Sequence, residues 1–179
     1  MSQFSVKKPL ITDMYSQVKY TSKILVNLMQ LIYETPKDAW QPYYNFMALQ
    51  VPQEILDQEP FLVALAGKRK FHAGLLRMDP HTCYNWHVDT DRHVSLNMLV
   101  LDDGASKCIF CAGEFGVVMP ITELKYKEFT YYVFNTKIPH TVYNFTEPRY
   151  LFSLEFLDED KGLTYDELCA DIQGLNYAD

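Results

Sequence analysis

Residues 129–156 read FTYYVFNTKIPHTVYNFTEPRYLFSLEF. They form three β-branched and aromatic runs, at 129–135, 140–145 and 149–156, with Glu147-Pro148 as a turn before the last. In the last run Tyr150, Phe152, Leu154 and Phe156 share one face, which should pack outward against helices, while Arg149, Leu151 and Ser153 lie on the other. Toward the N-terminus the same kind of run recurs at 71–78, 85–89, 94–101 and 116–121, punctuated by Asp79-Pro80 and Asp102-Asp103-Gly104. Seven short strands at this spacing predict a β-sandwich or barrel. A composition with 13 Tyr, 11 Phe and 2 Trp agrees, since aromatic residues favour strands over Leu/Ala helices.

The flanks read as helices. Ile24, Leu25, Leu28, Leu31 and Ile32 follow helical spacing over 21–34, with Thr21 or Ser22 as cap and Pro36 as stop. A second helical stretch starts near Pro52, is interrupted by Pro60 and ends at Gly67. Thr164-x-x-Glu167 is a capping-box pattern before Leu168, Ile172 and Leu175, predicting a C-terminal helix. At 179 residues the chain is expected to be one domain: helical support at 1–70, a β core at 71–156 and a C-terminal helix at 157–179. The first 20 residues are mixed and polar, and are read either as a strand beside the barrel or as a cover over its mouth.

A formal charge of −7, with no basic run beyond Lys68-Arg69-Lys70, argues against a general nucleic-acid binder. No apolar run reaches the roughly 18 residues of a membrane span, and none follows Lys7 and Lys8, so a soluble cytoplasmic protein is expected. In that compartment Cys83, Cys108, Cys111 and Cys169 are expected to be reduced thiols, the Cys108-x-x-Cys111 pair being more simply buried cysteines than half of a zinc or redox site.

The chemistry gathers in a few positions. In Trp86-His87-Val88-Asp89, alternation along a strand would turn His87 and Asp89 to one side and Trp86 and Val88 into the opposite packing layer. His140, after Ile138-Pro139, offers a second imidazole. Two histidines and a carboxylate with open positions suit non-haem Fe(II), with room for a keto acid and oxygen. Arg149, nine residues on, presents a guanidinium that can hold a distal carboxylate bidentately, and Ser153 can add a hydroxyl. On 94–101, Val94, Leu96, Met98 and Val100 form an apolar face opposite His93, Ser95 and Asn97, which makes Asn97 a further candidate ligand for co-substrate or substrate. His72, His81 and His93 read as solvated or hydrogen-bonded histidines, and Trp86 and Tyr143 as core aromatics.

The segments Arg77-Met78-Asp79-Pro80 through Trp86-His87-Val88-Asp89-Thr90-Asp91-Arg92, with Asn97, and Phe134-Asn135-Thr136-Lys137-Ile138-Pro139-His140-Thr141-Val142-Tyr143-Asn144, with Arg149, resemble the iron/2-oxoglutarate oxygenases. Within that superfamily they look closest to the aspartyl/asparaginyl β-hydroxylase-like group and its small microbial and phage-encoded relatives. The resemblance covers residues 71–156 and implies a double-stranded β-helix (jelly-roll, cupin-like) core, mainly β with flanking helices. It also implies iron on His87, Asp89 and His140, and Arg149 on the distal carboxylate of 2-oxoglutarate. Some β-hydroxylases of the group lack the carboxylate ligand that Asp89 supplies here. Members carry a second basic residue near the metal, for which Arg92 and Arg77 are the candidates.

The expected activity is that of a 2-oxoglutarate-dependent dioxygenase. It would hydroxylate an unactivated C–H bond with release of succinate and CO2, with no catalytic side chain beyond the metal ligands. Its partners would be 2-oxoglutarate, O2 and either a peptidyl side chain or a small molecule. The competing readings are a cupin-like metal-binding domain or an isomerase using the same triad.

Overall fold

In the computed structural model, which describes residues 14–111, 121–157 and 162–176, the strands are β1 (Tyr15–Thr21), β2 (Gln41–Tyr43), β3 (Phe46–Gln50), β4 (Phe71–Met78), β5 (Thr82–His87), β6 (Val94–Leu101), β7 (Lys107–Cys111), β8 (Ile121–Leu124), β9 (Thr130–Asn135), β10 (His140–Asn144) and β11 (Arg149–Phe156). The helices are α1 (Leu25–Glu34), α2 (Gln53–Leu56), α3 (Pro60–Ala66) and α4 (Tyr165–Gln173). The strands pair antiparallel in a seven-stranded sheet, ordered β1-β9-β6-β11-β4-β3-β2, and a four-stranded sheet, ordered β5-β10-β7-β8. This is the double-stranded β-helix with flanking helices.

Alternation decides what each face of the large sheet does. The predicted apolar faces of β6 and β11 meet there: Val94, Leu96, Met98, Phe152 and Leu154 are buried in one cluster with Leu28 of α1, Phe61 and Leu65 of α3, and Leu168 of α4. Each such side chain contributes about 1.5–3 kcal/mol when taken fully out of water, which holds the helices on this face. A second, smaller cluster, with Met78, Cys108, Phe110, Tyr132, Phe134 and Val142, lies on the other face.

Several boundaries differ from the sequence reading. The expected helix over 21–34 begins at Leu25 without a side-chain cap, because Thr21 belongs to β1 and the Ser22 hydroxyl donates to Glu59 Oε2 at 2.7 Å. Residues 15–21 are a strand beside β9, as one of the two readings of that segment expects, while residues 1–13 lie outside the described residues. β2, β3 and β7 were not expected. Pro42 disguises β2, which tolerates a proline because it is an edge strand. Most of the strand expected at 116–121 lies outside the described residues. α4 carries the predicted capping box, with Glu167 N donating to Thr164 Oγ1 and Thr164 N to Glu167 Oε2.

Trp86 and Val88 are corrected. They are 42% and 44% exposed and do not fill a packing layer. Among the described residues no helix packs closely on β5, and a register irregularity in its pairing with β10, between Tyr84 and His87, breaks simple alternation.

Glu59 is a buried carboxylate that accepts from Ser22, Tyr20 and Tyr131 hydroxyls and from Lys23 N, tying α3 to the start of α1 and to β9. Glu59→Ala leaves these buried donors without an acceptor. It is expected to destabilise the fold by about 2–4 kcal/mol, read as a lower urea midpoint at unchanged m.

Candidate metal centre

His87 ends β5 and His140 opens β10, and the register pairs them directly across the small sheet. Each ring has its Nδ1 on a nearby carbonyl: His87 at 2.6 Å from Asn85 O and His140 at 3.0 Å from Ile138 O. With Nδ1 carrying the proton, each ring is left with an Nε2 lone pair. Asp89 Oδ1 stands 3.6 Å from His87 Nε2 and 4.0 Å from His140 Nε2, and one ligand atom from each of the three residues lies within 4.8 Å of the others. Donors sharing one ion at about 2.0–2.2 Å stand roughly 3–3.5 Å apart, so small side-chain movements would close this slightly wider set on a single metal. Burial, the largest cause, pushes the His140 pKa down to about 4, which keeps the imidazole neutral and able to ligate.

Asp89 reaches the site by another route than strand alternation, since β5 stops at His87. Its backbone N–H donates to Thr136 O at 3.0 Å, and Lys137 Nζ donates to Asp89 O at 2.9 Å. Thr136 further donates from its N–H to His93 O and from its hydroxyl to Arg92 O. The loop after β5 is therefore stitched to the turn that leads directly into His140, and one turn positions two of the three donors.

Of the two candidate basic residues, the structure brings Arg92 to the site and takes Arg77 away. Arg92 Nε donates to Asp89 Oδ2 at 2.5 Å, leaving Oδ1 facing the histidines. Burial lowers the Arg92 pKa, but the Asp89 carboxylate overrides it and the net shift is upward. Arg77 pairs with Asp79 at 2.6 Å. It sits opposite Tyr150, on the face turned toward the helices.

Arg149 is 1% exposed. Its Nη2 donates to the Tyr126 hydroxyl at 3.2 Å, its guanidinium carbon lies 5.5 Å from the centroid of that ring, and its Nε has no partner. Burial, the largest cause, raises the Tyr126 pKa well above 10, so a neutral phenol faces a buried cation. Ser153 also has a buried hydroxyl without a partner. Asn97, its neighbour on β6, donates to Ser95 Oγ at 2.7 Å. A guanidinium this deeply buried carries a desolvation cost of several kcal/mol, which an anionic partner for the bare Nε would offset. Tyr126 was not anticipated, because Leu124-Lys125-Tyr126-Lys127 has no periodicity that distinguishes it from a surface turn. Tyr126→Phe is expected to weaken binding of an anion at Arg149 by about 3- to 10-fold, the worth of one hydrogen bond, measured by calorimetric titration.

Beside the triad lies a cleft of about 430 Å³ lined by Tyr43, Tyr44, Phe46, Tyr84, Asp91 and Glu155 together with His87, Asp89 and Arg92. A second cavity of about 250 Å³ shares Tyr43, Leu76, Arg92 and Glu155 with it and continues past Gly74, His72 and Ser153. The β2–β3 hairpin that builds this wall was another feature the sequence reading missed. The four cysteines are free, Cys108 and Cys111 buried, and burial pushes the Cys108 thiol up to about 11. No helix among the described residues is long and apolar enough to cross a membrane.

No protein-family model matches this sequence, and comparison with curated proteins returns no match. Solved structures do share the fold. A Pseudomonas putida prolyl-4-hydroxylase is 18% identical with a TM-score of 0.58, over 82% of this chain and 94% of that one. A prolyl hydroxylase from Trichoplax adhaerens, in complex with a hypoxia inducible factor oxygen degradation domain peptide fragment, is 12% identical with a TM-score of 0.57, over 85% and 87%. The epimerase SnoN in complex with Fe3+, alpha ketoglutarate and nogalamycin RO is 14% identical with a TM-score of 0.58, over 82% and 79%. The chain therefore has the double-stranded β-helix fold on which solved 2OG-Fe(II) oxygenases are built.

Proposed function

We propose that the protein is an iron(II)- and 2-oxoglutarate-dependent dioxygenase that hydroxylates a C–H bond. The observation that carries this reading is the buried, under-bonded Arg149 guanidinium in the same barrel as the His87, Asp89 and His140 donor set. A metal-binding cupin-like domain or an isomerase would use the triad but gives no reason to bury a cation without a carboxylate partner.

His87 and His140 would hold the metal through Nε2 and Asp89 through Oδ1. Arg92 keeps Oδ2 occupied, so the carboxylate presents one oxygen to the ion. The pairing of Asn144 with Thr82 and of His140 with His87 puts the two ends of β10 four residue steps apart, or about 13 Å by strand rise. Arg149 begins β11 at the Asn144 end, opposite Met78. Within that length its side chain and a five-carbon diacid fit end to end, with Tyr126 beside the guanidinium. With iron and 2-oxoglutarate bound, the site would activate O2 as the oxidant, one oxygen atom entering succinate as the keto acid loses CO2 and the other entering the substrate C–H bond. The protein positions both, and the aromatic wall of the barrel excludes water. Ser153, buried at the inner cavity, and its neighbour Asn97 would contact co-substrate or substrate.

We place the chain with the aspartyl/asparaginyl β-hydroxylase-like group on the motifs at 77–92 and 134–149, and a peptidyl side chain as the substrate follows from that placement. The cleft beside the triad and the cavity that shares four of its lining residues, about 430 and 250 Å³, support it by offering room for more than one side chain.

The test is anaerobic titration with Fe(II) and then 2-oxoglutarate, following the weak visible charge-transfer band of a keto acid on iron. The band is expected on addition of the keto acid. Tight iron binding without it would overturn the oxygenase reading.

A further inference from the structure

The groove beside the triad carries a chemical preference of its own. Two of its walls are aromatic: Tyr43 and Tyr44 meet edge-on at 4.9 Å between centroids, and Phe46 meets Tyr84 edge-on at 5.1 Å. Tyr84 lies 3.9 Å from the His87 ring, so the second wall runs directly to a metal ligand. The groove's charged rim is acidic. Glu155 Oε2 accepts from Tyr43 OH at 3.3 Å and Asp91 Oδ2 from Tyr44 OH at 3.3 Å, and neither carboxylate forms an ion pair among the described residues. Arg92, the cation lining both cavities, has its Nε on Asp89. The carboxylates of Asp89, Asp91 and Glu155 thus face one guanidinium. Fe(II) and doubly ionised 2-oxoglutarate carry equal and opposite charges, so loading the site leaves that excess in place.

A second observation lies where the groove continues. Ser153 is 7% exposed, lines the inner cavity and has a hydroxyl without a partner. Opposite it on β4 stands Gly74, whose missing side chain keeps the cavity open: an added Cβ would come no nearer than 3.6 Å to Leu49 O. The room is therefore not forced by backbone crowding.

We propose that this groove receives a cationic side chain, an ammonium or guanidinium on a flexible apolar stem, and delivers it to the metal. Aromatic faces attract a cation through the ring quadrupole, and the flanking carboxylates hold it with charge-assisted hydrogen bonds. The apolar stem packs against Leu76 and Phe46. This deepens the oxygenase reading, on which it rests for the metal's role but not for the binding itself.

The experiment uses the full chain loaded anaerobically with Fe(II) and 2-oxoglutarate, so that binding is read without turnover. Calorimetric titration compares alanine-rich pentapeptides with lysine, arginine, norleucine or glutamate at the centre. The lysine or arginine peptide is expected to bind at least 10-fold more tightly than the norleucine peptide, and the glutamate peptide most weakly. Glu155→Gln should cut that preference 3-fold or more. Gly74→Val, which fills the cavity, should weaken the cationic peptides while the charge-transfer band persists. Equal affinity across the four, no binding at all, or a preference for glutamate would each overturn the proposal. A cation preference without a charge-transfer band would overturn the oxygenase reading and leave this one standing.

Discussion

Arg149→Met is expected to change two measured quantities in opposite directions. The wild-type guanidinium is 1% exposed, with one neutral hydroxyl as its hydrogen-bond partner and a bare Nε. Removing a buried charge so poorly matched should leave the ligand-free fold as stable as before or stabilise it by about 1–4 kcal/mol, methionine filling most of the volume. Binding of 2-oxoglutarate should fall by about 2–5 kcal/mol, roughly 30- to 5,000-fold, because its distal carboxylate would then be buried without a counter-charge. Thermal melts separate the two effects. At 100 times its dissociation constant the keto acid should stabilise iron-loaded wild type by about 2.7 kcal/mol, and at that concentration should stabilise the variant by under about 1 kcal/mol. A variant that melts several degrees lower without ligand would show that Arg149 is a structural cation. One that keeps the full ligand-induced shift would show that the carboxylate is bound elsewhere.

How far these features could be read beforehand varied with how local their causes are. The apolar faces of β6 and β11 were legible because alternation is a property of the strand itself, and the same alternation placed Arg149 on the inner side. The capping box at Thr164 and Glu167 is equally local, and was read correctly. Asp89 was placed on the correct side for the wrong reason: the strand ends two residues earlier, and the Thr136 carbonyl and Lys137 ammonium hold the loop, contacts made across 47 and 48 positions. Trp86 was misplaced because burial of a strand's outer face depends on whether another layer covers it, and nothing within 85–89 reports that. The same holds for Arg77 and Arg92. Both precede or follow the H-x-D segment at plausible distances, and only the register of β4 with β11 shows that Arg77 faces the helices. Tyr126 and the β2–β3 hairpin stayed hidden because the first depends on a buried partner 23 residues away. The second is an edge pairing whose Pro42 reads as a breaker.

Asp89→Ala should abolish usable iron binding, and the size of the loss tests the role assigned to Arg92. The carboxylate faces the two imidazoles with Oδ1 and the guanidinium with Oδ2. Deleting it removes the one anionic donor of the triad. At an effective dielectric of about 20 two unit charges 4 Å apart attract by about 4 kcal/mol, roughly a thousandfold, so for a divalent ion the loss should be at least that large. Deletion also releases the Arg92 cation beside the metal position. Arg92→Met, by contrast, leaves all three donors and removes only the group that orients one, an effect of about 10- to 100-fold on metal affinity. Because the two residues are in contact, the losses should not add. With Asp89 gone, Arg92 has no ligand to orient and only repels the ion, so Asp89→Ala/Arg92→Met should bind iron more tightly than Asp89→Ala alone. Anaerobic Fe(II) titration of the four proteins reads all three quantities. If the double variant instead bound iron more weakly than Asp89→Ala, by the full factor seen for Arg92→Met alone, Arg92 would be contributing independently of Asp89, and its contact with Oδ2 would not be how it acts.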